Sequence, residues 1–354
     1  MTNQTISLAA LGWRPVLQTQ LTLDELEIGY AARVDAVYRD RLHVMTEQGD
    51  KMILVSGIIN TDDSESRVTT GDWLWIENNT DRPLRLFERF NLLKRTAAGT
   101  EPKTQLIAAN LDTLFIVTSC NQDLNPSRLE RYLSLVMAAR IPAVILLTKA
   151  DLVDDVQAYV DQAKAVHRDV PVVALNALDE RLSDPLAEWL LPGNTIAFIG
   201  SSGVGKSTLT NSLLGRRVQD TRGIREDDAK GRHTTTDRSM HRCPLGAWVI
   251  DTPGMRELRL NDDAEGVSEL FSDIEELMLK CRFSNCHHQG DKGCAVETAL
   301  ADGQLDARRW HNYLKLHREA QRASLTKEAR NKARQQWGRD ISKRVRQIKK
   351  ANLL

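Results

Sequence analysis

The sequence predicts a multidomain α/β protein in three parts: an N-terminal five-stranded β-barrel, a mostly parallel sheet with helices on both faces, and a C-terminal metal-binding helical module. Three observations predict it. Five short β-like runs separated by turn residues occupy 32–95, an alternating β-α series fills 105–260, and a cysteine/histidine cluster begins at Cys281. A chain of 354 residues exceeds one ordinary core. The divisions expected are 1–31, a lead-in to which the sequence assigns no role, then 32–100, 101–262 and 263–354.

In the first part the runs are Ala32–Tyr38, Leu42–Met45, Met52–Ser56, Trp73–Ile76 and Leu84–Phe87. Gln48-Gly49-Asp50, Asn60–Asp63, Gly71-Asp72 and Asn78-Asn79 supply the turns. Five strands in so short a span suggest a small closed barrel, of which the oligonucleotide-binding (OB) type is the commonest example. A barrel with no nucleic-acid contact fits this segment equally well.

In the second part the apolar runs Leu111–Ser119, Ala143–Thr148 and Pro171–Leu175 alternate with helical patterns at Pro126–Ala139, Val153–His167 and Pro185–Leu191. A fourth strand, from Thr195, runs into Gly200-Ser201-Ser202-Gly203-Val204-Gly205-Lys206-Ser207-Thr208. This G-x-x-x-x-G-K-S spacing turns consecutive N–H groups towards phosphate oxygens, and the helix that follows adds the positive end of its dipole. Lys206 would reach the β- and γ-phosphates and the Ser207 hydroxyl would ligate Mg²⁺. A glycine-rich turn that binds nothing is the weaker reading, because strand, loop and amphipathic helix (Leu209, Leu213, Leu214) come in the order the motif demands.

The strand Ala143–Thr148 ends in Thr148-Lys149-Ala150-Asp151. A carboxylate at Asp151 can accept two hydrogen bonds from guanine, whereas adenine offers no such donor pair, so the pattern selects GTP. Lys149 would lie along the base. A further strand, Ala247–Ile250, leads into Asp251-Thr252-Pro253-Gly254, which would put Asp251 near the metal and the Gly254 N–H near the γ-phosphate. Between these motifs lies Gly231-Arg232-His233-Thr234-Thr235-Thr236, in a polar stretch that reads as a switch loop. Two features are unusual. Asp151 precedes the phosphate loop instead of following it, and Met255 stands where many GTPases carry a water-orienting Gln. His233, or a group from a partner, is the candidate to position the water, with a solvated loop histidine as the alternative.

The permuted order of TKAD, GSSGVGKS and DTPG, with an OB-like segment before and a Cys/His cluster after, is similar to the circularly permuted GTPases of small ribosomal subunit biogenesis, the RsgA (YjeQ-type) family. GDW (Gly71–Trp73), QLIAAN (Gln105–Asn110), RLERYL (Arg128–Leu133) and GRHTTT also resemble family segments. The resemblance implies a factor that binds the immature 30S subunit and its 16S rRNA and has its GTPase stimulated there. It implies Thr235 as a Mg²⁺ ligand, and it places Asn176 and Ala177 where a Ser-Ala loop usually backs the guanine.

Cys281-x₄-Cys286-x-His288-x₅-Cys294 offers three thiolates and one imidazole, enough for a closed tetrahedral Zn²⁺ site of structural type. The spacing is shorter than common finger patterns, and the family's C-x-H pair at this place favours zinc. Five cysteines form no even disulfide framework; Cys120 and Cys243 read as small buried residues.

Formal charge is zero overall, but Arg322–Lys350 holds 11 Lys or Arg against Glu328 and Asp340, a local +9 that leaves the remainder at −9. Such a tail suits contact with RNA phosphates. The expectation is a cytoplasmic, monomeric GTP hydrolase producing GDP and phosphate, without a membrane partner. Its rivals are a nucleotide-gated RNA-binding scaffold with incidental hydrolysis, which Met255 favours, and a kinase on the same loop, which TKAD and DTPG disfavour.

Overall fold

The structure, a computed structural model, describes residues 5–55, 65–96, 104–216, 239–251 and 264–321. The chain divides into two compact units, Met1–Arg259 and Leu260–Leu354. No described helix is long and apolar enough to cross a membrane.

The first unit opens with α1 (Pro15–Gln18) and α2 (Leu23–Ile28), the latter closed by a capping box between Thr22 and Glu25. The five expected runs follow as β1 (Gly29–Val37), β2 (Arg41–Thr46), β3 (Gly49–Leu54), β4 (Trp73–Glu77) and β5 (Pro83–Leu86), an antiparallel OB-like sheet in the order β3-β2-β1-β4-β5. Alternation turns Ala32, Val34, Leu42, Val44, Ile53, Leu74 and Ile76 into one apolar core. The strand β3 starts at Gly49, not Met52. A two-residue turn lets Gly49 pair with Thr46, whose hydroxyl donates to the Gly49 carbonyl at 2.7 Å. A two-stranded antiparallel ribbon, β6 (Leu92–Thr96) with β7 (Thr104–Ala109), was not expected from the sequence, where 92–110 lacks clean alternation.

The lead-in proves to be a mortar between layers. Trp13 stands edge-on to Trp73 and Phe87, with centroids at 5.0 and 5.2 Å. Leu11 and Leu17 are fully buried, and the Trp248 indole N–H donates to the Ala10 carbonyl at 2.8 Å. Arg14 pairs with Asp112, while Arg33, inside the fold, donates to the Leu11 carbonyl and to Thr195 Oγ1. Burial, helped by the Arg14 charge, lowers the Arg33 guanidinium to about 9.

The second layer is a six-stranded sheet of β8 (Thr113–Ser119), β9 (Ala143–Thr148), β10 (Val172–Ala174), β11 (Thr195–Gly200), β12 (Ser239–Arg242) and β13 (Trp248–Asp251). Their order is β10-β9-β8-β11-β13-β12, parallel except for β12. Every residue of β8 and β11 is buried, as a doubly covered parallel sheet requires. The helices are α3 (Pro126–Ala138), capped by Asn125, α4 (Val156–Lys164), capped by Asp155, and α5 (Lys206–Leu214). The helix expected at Pro185–Leu191 is instead a 3₁₀ turn at Asp184–Leu186 with looser turns after it. Burying Leu186, Leu190 and Trp189 in the cluster around Phe115, ahead of Pro192-Gly193, stabilises the tighter path.

The second unit holds α6 (Ala264–Leu270), α7 (Ser272–Leu279), α8 (Ala295–Ala301) and α9 (307–321). Between α6 and α7 the chain breaks at Phe271. Its ring is fully buried against Tyr313, centroids 5.5 Å apart, and Arg309 lies over it while donating to the Leu270 carbonyl at the end of α6. The tail Arg322–Lys350 lies outside the described residues.

Candidate functional site

In the parallel sheet the chain runs outwards from β8 to β9 and β10, then returns to place β11 on the other side of β8. The carboxyl ends of β8 and β11 therefore flank a topological switch point, where α/β sheets bind their ligands. The phosphate loop leaves β11 at this point. Gly200 must come close to β8, since a Cβ there would sit 2.1 Å from the Val117 carbonyl. Gly203 and Gly205 take φ of 82° and 97°, the left-handed region that a side chain would strain. The helix α5 starts at Lys206, so Ser207 and Thr208 lie in its first turn. The Lys206 ammonium folds back on the carbonyls of Gly200, at 2.8 Å, and Ser201.

The TKAD turn is bonded to this loop. The Thr148 hydroxyl, fully buried, donates to the Val204 carbonyl at 2.6 Å and lies 3.1 Å from the Thr118 carbonyl. Lys149 adopts φ of 58° and its ammonium reaches the Gly203 carbonyl at 2.9 Å. Asp151 sits in the 3₁₀ turn Ala150–Leu152 and is exposed, so any penalty for a wrong base arises only when a base covers it. The third piece comes from beyond β10. The Ala177 carbonyl accepts from Ser212 of α5 at 2.8 Å, and Asn176 Oδ1 accepts from the Leu178 N–H at 2.9 Å, which holds the loop in an Asx turn. Asp251 closes β13 beside β11, half-buried, with Ser239 of β12 as its cross-strand partner. The structure thus brings Thr148, Lys149, Asp151, Asn176, Ala177, Gly200–Thr208 and Asp251 to the carboxyl ends of the strands of one sheet. His233, Thr235 and Gly254 lie outside the described residues.

Sequence reasoning missed a contact at this end of the sheet. Arg128, in the first turn of α3, donates through Nη1 to Ser201 Oγ and to Asp123, the latter at 2.9 Å. Tyr132, one turn on, also bonds Ser201, and burial raises its phenol above the ordinary value. RLERYL was visible, but nothing in it says that α3 packs beside a loop 73 residues later.

In the second unit the ligand atoms of Cys281, Cys286, His288 and Cys294 all lie within 4.8 Å of one another. His288 Nδ1 is 3.6 Å from the Cys281 sulfur and 3.4 Å from the Cys294 sulfur. Ligands at Zn–S and Zn–N lengths of about 2.3 and 2.0 Å on a tetrahedron are about 3.5 Å apart, so the donor set fits one tetrahedral ion. Backbone N–H groups of Ala295 and Glu297 point at the Cys281 and Cys294 sulfurs, both at 3.4 Å, as thiolates require. His288 holds φ of 57°, and its ring packs edge-on against Trp310 at 5.8 Å. These four residues form a Cys₃His metal-binding group.

A phosphate loop on a parallel sheet, with the base-reading turn earlier in the chain and hydrogen-bonded to it, defines a circularly permuted GTPase. A family model described as RsgA GTPase matches residues 86–261. The chain is 48% identical to the Small ribosomal subunit biogenesis GTPase RsgA 2 of Vibrio vulnificus over 334 residues, covering 94% of each. It is 44% identical to the Small ribosomal subunit biogenesis GTPase RsgA of Mesorhizobium japonicum, covering 91% of this chain and 92% of the relative. In fold it is similar to the crystal structure of YjeQ from Thermotoga maritima, with a TM-score of 0.60 at 23% identity, covering 83% of this chain and 99% of that one. YloQ, described as a circularly permuted GTPase, gives 0.55 at 24%, covering 83% and 95%. The chain belongs to the RsgA GTPase family and is a hydrolase acting on GTP.

Proposed function

We propose that this GTPase acts in maturation of the small ribosomal subunit, binding GTP at the carboxyl ends of its parallel strands and hydrolysing it to GDP and phosphate when seated on 16S rRNA of the 30S particle. The observation that carries the reading is the pair of bonds from Thr148 and Lys149 to Val204 and Gly203, because they make base recognition and phosphate recognition one rigid surface. The relatives' shared name supplies the partner.

In this reading Asp151 accepts from guanine, the stem of Lys149 flanks the base, and the Asn176-Ala177 loop backs it. The N–H groups of Gly200–Thr208 hold the phosphates. Lys206 swings from its loop carbonyls to the β- and γ-phosphates. Ser207, Thr235 and Asp251, the last through water, hold Mg²⁺, which neutralises charge on the phosphates when bound. The Gly254 N–H meets the γ-phosphate, and His233, or a group from the subunit, orients the attacking water. The four ligands of the second unit hold a structural Zn²⁺. The OB-like sheet and the basic tail supply the RNA contacts, and the protein works as a cytoplasmic monomer.

Turnover of GTP by the purified protein with and without 30S subunits tests this, with 50S subunits and Lys206→Ala as controls. Strong stimulation by 30S alone is the expected result. Guanine nucleotide binding without stimulation would leave a nucleotide-gated scaffold or a different RNA.

A further inference from the structure

The strand β12 is the edge of the parallel sheet, and its outward N–H groups need covering. One is covered from the other layer. Between Val34 and Ala36 the pairing of β1 with β2 shifts register, which leaves Asp35 as a bulge residue without a cross-strand partner. A bulge re-aims the side chain it carries, and this one points at β12. Asp35 Oδ1 accepts from the Met240 backbone N–H at 2.6 Å, and its other oxygen, Oδ2, is 2.8 Å from His43 Nδ1 on β2. The carboxylate is only 14% exposed.

What Met240 adjoins gives the contact its meaning. Within the β12–β13 ladder Met240 pairs with Ile250 and Ser239 pairs with Asp251. A carboxylate of the OB-like sheet is therefore bonded to the strand that flanks Asp251, one residue from the cross-strand position itself. Met240 is buried, so β12 cannot shift against the OB-like sheet without breaking this charge-assisted bond.

We propose that Asp35 is a positioning residue for GTP hydrolysis: held by His43 and bonded to the Met240 N–H, it fixes β12 and hence Asp251 relative to the OB-like sheet, so that RNA seated on that sheet alters the metal side of the GTPase centre. The proposal rests on the reading of Asp251 as a group on the Mg²⁺ side. It assigns the OB-like sheet a part in catalysis as well as in docking.

The test uses the full chain and its Asp35→Ala, Asp35→Asn, His43→Ala and Asp251→Asn variants. For each, kcat is followed against Mg²⁺ concentration with and without 30S subunits, alongside GDP affinity and Tm. Asp35→Ala is expected to raise the Mg²⁺ concentration for half-maximal turnover and to lower subunit-stimulated kcat about tenfold, the worth of one hydrogen bond to a charged group. GDP affinity should stay within about twofold, because the phosphate loop and TKAD turn do not touch Asp35. Asp35→Asn, whose amide oxygen can still accept from Met240, should keep most of the activity, and His43→Ala should show a smaller Mg²⁺ shift than Asp35→Ala. Wild-type Mg²⁺ dependence and stimulation in Asp35→Ala would overturn the proposal. So would equal loss in the Ala and Asn variants with a fall in Tm, which marks a merely structural role. Should Asp35→Ala not fold, His43→Ala decides: a raised Mg²⁺ requirement at unchanged GDP affinity supports the role, and wild-type Mg²⁺ dependence overturns it. If Asp251→Asn keeps the wild-type Mg²⁺ requirement, the role given to Asp251 fails separately, and the stimulated kcat of the Asp35 variants still decides for or against the OB-like sheet.

Discussion

Thr148 and Val204 are 56 residues apart in the chain, yet the Thr148 hydroxyl donates to the Val204 carbonyl at 2.6 Å inside the fully buried end of β9. The bond joins the turn that reads the base to the loop that wraps the phosphates, so neither can be repositioned alone. The strand order makes this junction useful. The two motifs sit on strands β9 and β11, separated by β8, and no short covalent connection links them.

Thr148→Val keeps the shape and deletes the donor, leaving a buried carbonyl without its partner at a cost of about 1–3 kcal/mol. The expected outcome is a lower Tm and about tenfold weaker binding of GDP and GTP alike, measured by titration with a fluorescent guanine nucleotide. Thr148→Ser should stay near wild type. Discrimination between the two nucleotides in Thr148→Val would refute the role, since the bond does not touch the γ-phosphate.

Arg128 offers a contrasting test. Its side chain is 38% exposed, so its ion pair with Asp123 should contribute no more than about 1 kcal/mol to stability. Its bond to Ser201, however, steadies the first turn of the phosphate loop. Arg128→Ala should therefore leave Tm nearly unchanged and lower kcat for GTP about tenfold. Arg128→Lys should recover only part, because Nη1, which makes both bonds, lies farther along the side chain than a lysine ammonium reaches. A loss of Tm with kcat intact would reassign Arg128 to the fold.

The difference between Thr148 and Arg128 also shows what was legible in the sequence. GSSGVGKS, TKAD and the Cys/His cluster were readable because their chemistry lies in local spacing: glycines at fixed offsets, a carboxylate after a buried strand, four soft ligands in one short segment. The parallel sheet itself followed from apolar runs alternating with helical patterns, whereas the order of β8, β9 and β11 within it came only from the structure. Arg128, Asp35 and the lead-in Trp13 were not readable, because each acts across a packing contact whose partner is fixed by topology alone. The helix expected at Pro185–Leu191 failed for a related reason, since its apolar spacing serves burial of Leu186 and Leu190 with no helix beneath it.

Removing the metal tests the second unit by itself. Cys294 both supplies a ligand and caps the N-terminus of α8, and the His288 ring leans on Trp310. Metal binding of this type is folding free energy. A strong chelator, or Cys294→Ser, should therefore release one zinc per chain and melt α7–α9, seen as loss of helical circular dichroism and a red-shifted Trp310 emission. GDP binding by the first unit should persist. Retained emission after complete loss of metal would show that the aromatic packing of Phe271, Trp310 and Tyr313 suffices without an ion.

Acidity gives a last handle, through His43. Its hydrogen bond to Asp35 raises the imidazole above 6.5, burial opposes this, and the charges of Asp35 and Asp50 add to the rise. The folded protein therefore holds that proton to a higher pH than the unfolded chain does. The sign follows from linkage: the stabilisation is fully present below pH 6.5 and is lost as pH rises through the raised folded value. Wild type should exceed His43→Gln in unfolding free energy by the largest margin in mildly acid solution, with the margin shrinking steadily on the alkaline side, as denaturant titrations at stepped pH would measure. The opposite slope would mean that His43 is held neutral and donates to Asp35 without a charge. In that case the grip on Met240 depends on geometry alone, and it should survive at high pH undiminished.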